Sequence, residues 1–363
     1  RLPCLEKPDP GFYDAAFMLT RDMVIFDNLS HEMLLTTTVH TDEHPSVTSA
    51  YREGVARLDY LRERLSKPGP PKSSNGGPSS GAPELVSNMS QSEFEAIVAQ
   101  AKDYIEAGDA IQIVLSQRFK TSSSAELLNV YRGLRMINPS PYMFFLRNGD
   151  QVLAGSSPEV MVRSRNGEAL LRPIAGTRPR GRSVEEDRAL EQDLCTDEKE
   201  TAEHVMLVDL ARNDLGRIAE PGSVRVDSFK SVERYSHVMH LVTTVRAKPA
   251  RGYDTFDVLR ATFPAGTLSG APKIRAMEII EELEPEHRGP YGGCIGYVSY
   301  GGAMDMGITI RTVMAKGSDT YIQAGAGIVA DSVPEKEYQE TLNKAQAMRK
   351  ALIWAQELEE SQS

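Results

Sequence analysis

The sequence predicts an α+β protein whose strands pair antiparallel. Helix-like and strand-like segments alternate without the regular βαβ rhythm that a parallel sheet requires. Two β-rich runs, 306–315 and 320–324, flank Lys316-Gly317-Ser318-Asp319, a hairpin signal. The composition, 40% hydrophobic and 25% charged over 363 residues, is that of an ordinary globular protein. A chain of this length buries about three quarters of its surface, enough for a large core or two domains.

The elements follow in order. Residues 23–27 and 33–40 read as strands, and 46–65 carries Val55, Leu58, Leu61 and Leu65 at helical spacing. In 66–83, 14 of 18 residues are Pro, Gly or Ser, a composition that cannot order itself by burial. That stretch is expected to be a flexible linker or long surface loop. It would divide 1–65, the end of an N-terminal region, from a second, larger part at 84–363. The chain opens at Arg1 without an initiator methionine, so a fragment of a longer protein is expected.

Beyond the linker, Ser90 and Glu93 form a capping box for a helix that Gly108 follows. Strands are expected within 110–119, 142–147 and 151–155. A long helix is expected over 196–214, stopping at Gly216. The last helix is expected to begin near Pro334, with Ser332 and Glu335 spaced as a capping box, and to run to about 359. No internal repeat is evident.

The formal net charge of −10 argues against nucleic-acid binding, which needs a basic face. No apolar run reaches the roughly 18 residues of a membrane span. Three cysteines, Cys4, Cys195 and Cys294, fit neither a disulfide framework nor a CxxC metal pattern, and no signal peptide is seen. A reducing compartment, the cytoplasm, is expected.

Three motifs mislead. Gly292-Gly293-Cys294-Ile295-Gly296 has the shape of a nucleophile elbow, but no histidine base follows it in the chain. The run 325–330 matches GxGxxA, yet the next helix starts several residues too late for a dinucleotide fold. The run 266–273 resembles a phosphate loop without its Gly-Lys-Ser/Thr.

The chemistry concentrates in two acidic pairs. Glu200 and Glu203 share one helix face, as do Glu337 and Glu340, with Lys344 a turn beyond. Each pair alone suits a solvated face. Four carboxylates together would repel unless a hard cation joined them, and oxygen-only donors favour Mg²⁺. In the hairpin, Arg311 alternates with the isoleucines 308 and 310. With residue 315 opposite 320, Arg311 falls near Ala324 and close to the glycines 325 and 327, whose amides can approach an anion. An anion clamp beside a metal site suits a substrate with two carboxylates.

The segments DEKETAEHVMLVDLARNDLG, FPAGTLSGAPK, GPYGGCIGY, GITIRT, AGAGIVADSVPEKEYQET and NKAQAM together resemble the chorismate-utilising enzyme family. The resemblance runs from about residue 90 to the C-terminus and implies that family's fold, a large antiparallel sheet sandwich flanked by helices. It implies that Glu203 and Glu340 ligate Mg²⁺ directly, with Glu200 and Glu337 reaching the metal or its waters. Arg311 and Tyr291 would hold the enolpyruvyl carboxylate, with Gly325, Ala326 and Gly327 in the same substrate loop. Gly176, Thr177 and Thr267 would line the ring end. Glu159 would be the acid that helps the C4 hydroxyl leave, and His240 would assist proton transfer. His204 adjoins Glu203 but points elsewhere, which suits core packing.

Two positions bear on the reaction. Family members that add water carry a lysine base where this chain has Gln112, and aminodeoxychorismate synthases often carry a lysine nucleophile where it has Ala175. The resemblance therefore implies direct addition of ammonia at C2 and loss of pyruvate to give anthranilate, a step of tryptophan biosynthesis. Stopping at the aminated intermediate, or a non-catalytic subunit that binds tryptophan, are the alternatives. A separate glutaminase subunit is the implied ammonia source, in a heterotetramer. Asn138, Pro141, Tyr142 and Met143 resemble half of a tryptophan-feedback motif, whose other half is absent from this chain.

Overall fold

The structure, a computed structural model, describes residues 5–69, 84–121, 123, 125–235 and 238–361. The backbone divides into two compact units, Tyr13–Asn75 and a larger one joining Arg1–Phe12 to Gly76–Ser363. Residues 1–12, expected to belong with the rest of 1–65, group instead with the larger unit, to which the first described residues are anchored. Leu5 N donates to Glu281 Oε1 at 3.0 Å and His287 N donates to Pro8 O at 3.0 Å. Most of the stretch expected as a linker, 70–83, lies outside the described residues.

The smaller unit pairs β1 (Asp22–Asp27) antiparallel with β2 (Glu32–Thr37) and adds α1 (Val47–Ser66). Ser46 caps α1 by accepting from Ser49 N at 3.2 Å. Both strands and the helix lie where the sequence placed them.

The larger unit runs β3 (Val86–Ser87), α2 (Gln91–Glu106), β4 (Gln112–Thr121), α3 (Leu127–Ile137), β5 (Tyr142–Asn148) and β6 (Gln151–Ser157). Next come β7 (Val160–Arg165), β8 (Glu168–Leu171), β9 (Ile174–Pro179), α4 (Val184–Thr196), α5 (Glu198–Gly216), β10 (Arg225–Arg234) and β11 (Val238–Ala247). It continues with α6 (Thr255–Thr262), α7 (Gly266–Ser269), β12 (Gly270–Ala271), α8 (Lys273–Leu283) and β13 (Cys294–Val298). The chain closes with β14 (Met304–Ile308), β15 (Thr312–Lys316), β16 (Asp319–Ile328) and α9 (Pro334–Glu360).

Among the described residues the strands of this unit form two large antiparallel sheets. One has the order β10-β11-β8-β7-β14-β13 with β9 also on β11, and the other β12-β4-β16-β15-β6-β5 with β3 on β4. Helices α5 and α6 bury Val208, Ala211, Leu215 and Val258 with Val162 and Ile308 of the first sheet. On the second sheet, α2 and α8 cover Ile113 and Ile328, while α3 and α9 cover Phe119 and Ile322. Residues that alternate along β4 and β16 thus serve the core on one face and leave the other face for the site.

Four details differ from expectation. The run 306–315 is not one strand: β14 belongs to the first sheet and β15 to the second, with the chain crossing between them at 309–311. The hairpin itself has the expected register, Ala315 opposite Thr320, but the ladder ends at Val313–Ile322 before reaching Arg311. The helix expected over 196–214 is α5, starting two residues later because Asp197 adopts an extended backbone and caps it by accepting from Glu200 N at 3.0 Å, while α4 before it was not anticipated. Ser332 makes no capping box with Glu335. Val333 is the N-cap of α9, and Ser332 Oγ accepts from Val329 N at 3.1 Å. The capping box at Ser90 and Glu93 is present.

Candidate active site

A cavity of about 910 Å³ opens in the larger unit, lined from α5, α9, the C-terminal end of β16, β4, β9, β11 and the two crossings between the sheets. Glu200 and Glu203 reach it from α5 and Glu337 and Glu340 from α9, so the two acidic pairs share one space. Gln112 Nε2 donates to Glu203 Oε1 at 2.9 Å. Arg178 Nη1 donates to Glu200 Oε1 at 3.3 Å, and Lys344 Nζ pairs with Glu340 Oε1 at 2.5 Å. The carboxyls of Glu200 and Glu337 are held above the usual range, first by burial. Glu203 adds to the effect at Glu200, and Glu340 adds to it at Glu337.

These residues fit a magnesium ion in one respect and limit it in another. The donors are all carboxylate oxygens, and their mutual repulsion is what a divalent cation relieves. Among the described residues no three His, Cys, Asp or Glu side chains gather as a metal-holding group. These side chains therefore do not form a closed cage; a hard cation held here would take one or two carboxylates and complete its shell with water and substrate oxygen.

Glu159 occupies the crossing from β6 to β7, and Arg311 the crossing from β14 to β15. Thr267 Oγ1 donates to Glu159 Oε1 at 2.8 Å. Burial pushes the Glu159 carboxyl up to about 7, against the pull of that hydrogen bond and of Lys344 and Arg311. The group is therefore poised to give a proton near neutrality. Arg311 has φ 51°, a left-handed backbone rare outside glycine. Its Nη1 donates to Lys344 O at 3.4 Å, and burial holds its pKa below the usual guanidinium value.

Tyr291 lines the same wall, and burial pushes its hydroxyl up to about 12. Gly325 and Gly327 face the cavity for a packing reason. A Cβ on Gly325 would lie 2.7 Å from Leu115 O and 2.8 Å from the Tyr291 hydroxyl, and one on Gly327 would lie 2.7 Å from Gln112 Nε2. Beyond Ile322 the β15-facing edge of β16 is free of the ladder. There Gly325 O accepts from Lys344 Nζ at 2.9 Å.

His240 Nδ1 lies 3.0 Å from Gly176 O and 3.1 Å from Thr177 Oγ1. A carbonyl only accepts, so Nδ1 carries the hydrogen in this contact, and the neutral tautomer that makes it presents Nε2 as the acceptor. Gly176, Thr177, Thr267 and His240 all line the cavity. His204 is fully buried, with Nε2 2.6 Å from Thr243 Oγ1, and burial lowers it to about 4. It packs in the interior, as expected.

Not every expected residue reaches the cavity. Ala326 is fully buried in the core beneath α2 and α8, because it alternates with Gly325 and Gly327 along β16. Asn138 and Pro141 lie on the cavity wall, whereas Tyr142 donates its hydroxyl to Asp305 Oδ1 at 2.7 Å and Met143 packs against the α3–α9 core. Sequence reasoning missed Arg178, which also binds Asp193 and Asp197, and the buried Gln323. Arg178 could have been noticed from the three acids at 193, 197 and 200. Gln323 carries no comparable signal.

Carboxylate pairs from two helices, a raised acid and a buried guanidinium around one cavity have the character of an enzyme active site. The pattern of the chorismate binding enzyme family matches residues 2–350, and the chain belongs to that family. It is 50% identical to anthranilate synthase component 1 of Aquifex aeolicus, with 98% of this chain and 72% of that protein covered. To anthranilate synthase component 1 of Pseudomonas putida it is 48% identical over the same shares. The crystal structure of anthranilate synthase component I from Streptococcus pneumoniae TIGR4 superposes with a TM-score of 0.84 at 41% identity, covering 95% of this chain and 76% of that one. Among the described residues no helix is long and apolar enough to cross a membrane.

Proposed function

We propose that the chain is a Mg²⁺-dependent lyase that converts chorismate and ammonia to anthranilate and pyruvate. Component 1 naming of its relatives accords with a partner subunit, which we take to be a glutaminase that delivers the ammonia. The observation that carries the reading is the pair of substitutes on the cavity wall. Where family members that add water or form a covalent intermediate place a lysine, this chain presents the Gln112 amide, bound to Glu203, and the methyl of Ala175. Neither can take a proton or attack carbon, so an external nitrogen is left as the nucleophile.

The residues divide the work. Arg311 and Tyr291 bind the enolpyruvyl carboxylate beside Gly325 and Gly327. Glu203 and Glu340 would hold the metal, with Glu200 and Glu337 reaching it or its waters; when bound it supplies Lewis-acid stabilisation of the ring carboxylate. Glu159 protonates the departing C4 hydroxyl as ammonia adds at C2. His240 Nε2 accepts a proton released as the ring becomes aromatic, while its Nδ1 stays fixed on Gly176 O.

The test is incubation with chorismate, ammonium and Mg²⁺, following anthranilate fluorescence and product mass. Anthranilate formed only with both ammonium and metal supports the reading. Isochorismate, salicylate or an accumulating aminated intermediate would overturn it.

A further inference from the structure

A second cavity, of about 50 Å³, lies behind the catalytic acid. It shares Glu159, Leu207 and Thr267 with the main cavity, so Glu159 stands in the wall between the two. Much of its lining is apolar, yet Asp214 from α5 and Thr262 from α6 also face it. Neither has a part in the chemistry above. Asp214 is 7% exposed, and its Oδ2 accepts from Lys273 Nζ at 2.7 Å; the same ammonium donates to Thr262 O at 2.9 Å. A buried ion pair contributes little net stability against an apolar equivalent, and Asp214 lines the same small cavity as Glu159. At its outer side the cavity is bounded by the partly exposed Arg172 and Leu210. A water needs about 10–15 Å³ of such space, so the volume admits about three.

We infer that the rear cavity is a proton-return route, in which water and Asp214 re-protonate Glu159 while substrate fills the main cavity. The inference rests on the proposed function. Glu159 gives its proton to the C4 oxygen, the C4–O bond breaks with its electron pair, and water leaves. The lone pair of ammonia forms the C2–N bond, and the resulting ammonio group releases a proton to the front side. The Glu159 carboxylate then takes a proton from rear-cavity water, which Asp214 replenishes from solvent. One proton enters at the rear and one leaves at the front, so the count closes.

The electrostatics agree with a relay. Burial pushes the Asp214 carboxyl up to about 6 despite Lys273 and Arg217, so it exchanges protons near neutrality. Glu159, held at about 7, faces Lys344 from α9 and Arg311 from the second crossing.

The test uses the full chain with chorismate, ammonium and Mg²⁺, and two variants. Ala211→Leu fills the rear cavity from α5. The double variant Asp214→Asn with Lys273→Met removes both buried charges together, leaving no unpaired ion. If re-protonation follows the irreversible loss of the hydroxyl, kcat falls about tenfold while kcat/KM stays within about twofold. The solvent deuterium effect on kcat rises in parallel, and the double variant loses the ionisation near pH 6 from its kcat profile. Thermal melting checks that each variant is folded, and either folded variant suffices. A folded variant with unchanged kcat and isotope effect, or with kcat and kcat/KM falling together, overturns the inference. Wild-type protein that makes no anthranilate overturns the functional reading itself, and that outcome is seen before any variant is compared.

Discussion

Glu159 and Arg311 occupy neighbouring crossings between the two sheets, and the strands on either side bind each other across them. Ser156 N donates to Arg311 O at 3.1 Å, and Ile308 N donates to Glu159 O at 3.0 Å. The proposed proton donor and the guanidinium proposed to bind the anion are therefore fixed by one small set of backbone hydrogen bonds. Arg311→Lys keeps the charge and loses the planar fork. It is expected to raise KM for chorismate by about 10- to 100-fold, the worth of a lost charged hydrogen bond, with a smaller effect on kcat; steady-state kinetics on both parameters checks this.

Glu159→Gln removes the acid without changing its shape. The expected loss in kcat is at least about 100-fold. Because the folded carboxyl is raised to about 7 from 4.5, its contribution to stability is complete below pH 4.5 and is lost as pH rises through 7. The neutral glutamine escapes that loss. Melting curves should show the variant more stable than wild type at pH 8, by up to about 3 kcal/mol, and nearly equal to it at pH 4.5. In wild type, kcat should decline as pH rises past 7.

Chelation is expected to abolish activity, and added Mg²⁺ to restore it. Glu203→Gln and Glu340→Gln should each weaken Mn²⁺ binding measured by electron paramagnetic resonance. Gln112→Leu leaves every carboxylate in place but frees Glu203 from its amide partner. Its metal affinity should fall about tenfold, as for other partners that orient a ligand. Unchanged Mn²⁺ binding in all three would remove these side chains from the metal site.

Gly325→Ala places a methyl against Leu115 O and the Tyr291 hydroxyl. Overpacking of this kind costs about 1–3 kcal/mol, and the displaced tyrosine should raise KM for chorismate. Denaturant melts and KM should therefore move together in this variant.

The two histidines should separate cleanly. His240→Ala is expected to lower kcat with little change in melting temperature. His204→Ala should lower the melting temperature while the folded enzyme keeps its kcat. In wild type, His204 is depressed to about 4, so its stabilisation is present above pH 6.5 and is lost as pH falls toward 4. A melting series across that window, compared with the variant, isolates the contribution.

The sequence made the acidic pairs legible because two residues three apart on a helix share a face regardless of what the helix packs against. Helix α2 was legible because Ser90 and Glu93 determine its start locally. The break at 309–311 was not: residues 306–315 alternate like a single strand, and only pairing with β13 and β7 on one side and with β6 and β16 on the other divides them. Ser332 failed as a cap because its Oγ accepts instead from Val329 N, in the turn just before it. Ala326 shows the limit of reading a glycine-rich segment as a loop. It lies in a paired strand, where side chains alternate and every second one turns to the core.

The crossing at 309–311 also bears on which sequence changes the protein tolerates. Many side chains could span from β14 to β15, but the number of residues is constrained. One extra residue would leave both ladders with their hydrogen bonds and both sheets with their cores, yet would carry the guanidinium away from the cavity. Such an insertion would produce a stable, inert protein, so among homologous chains the length of this segment should be held more strictly than its composition.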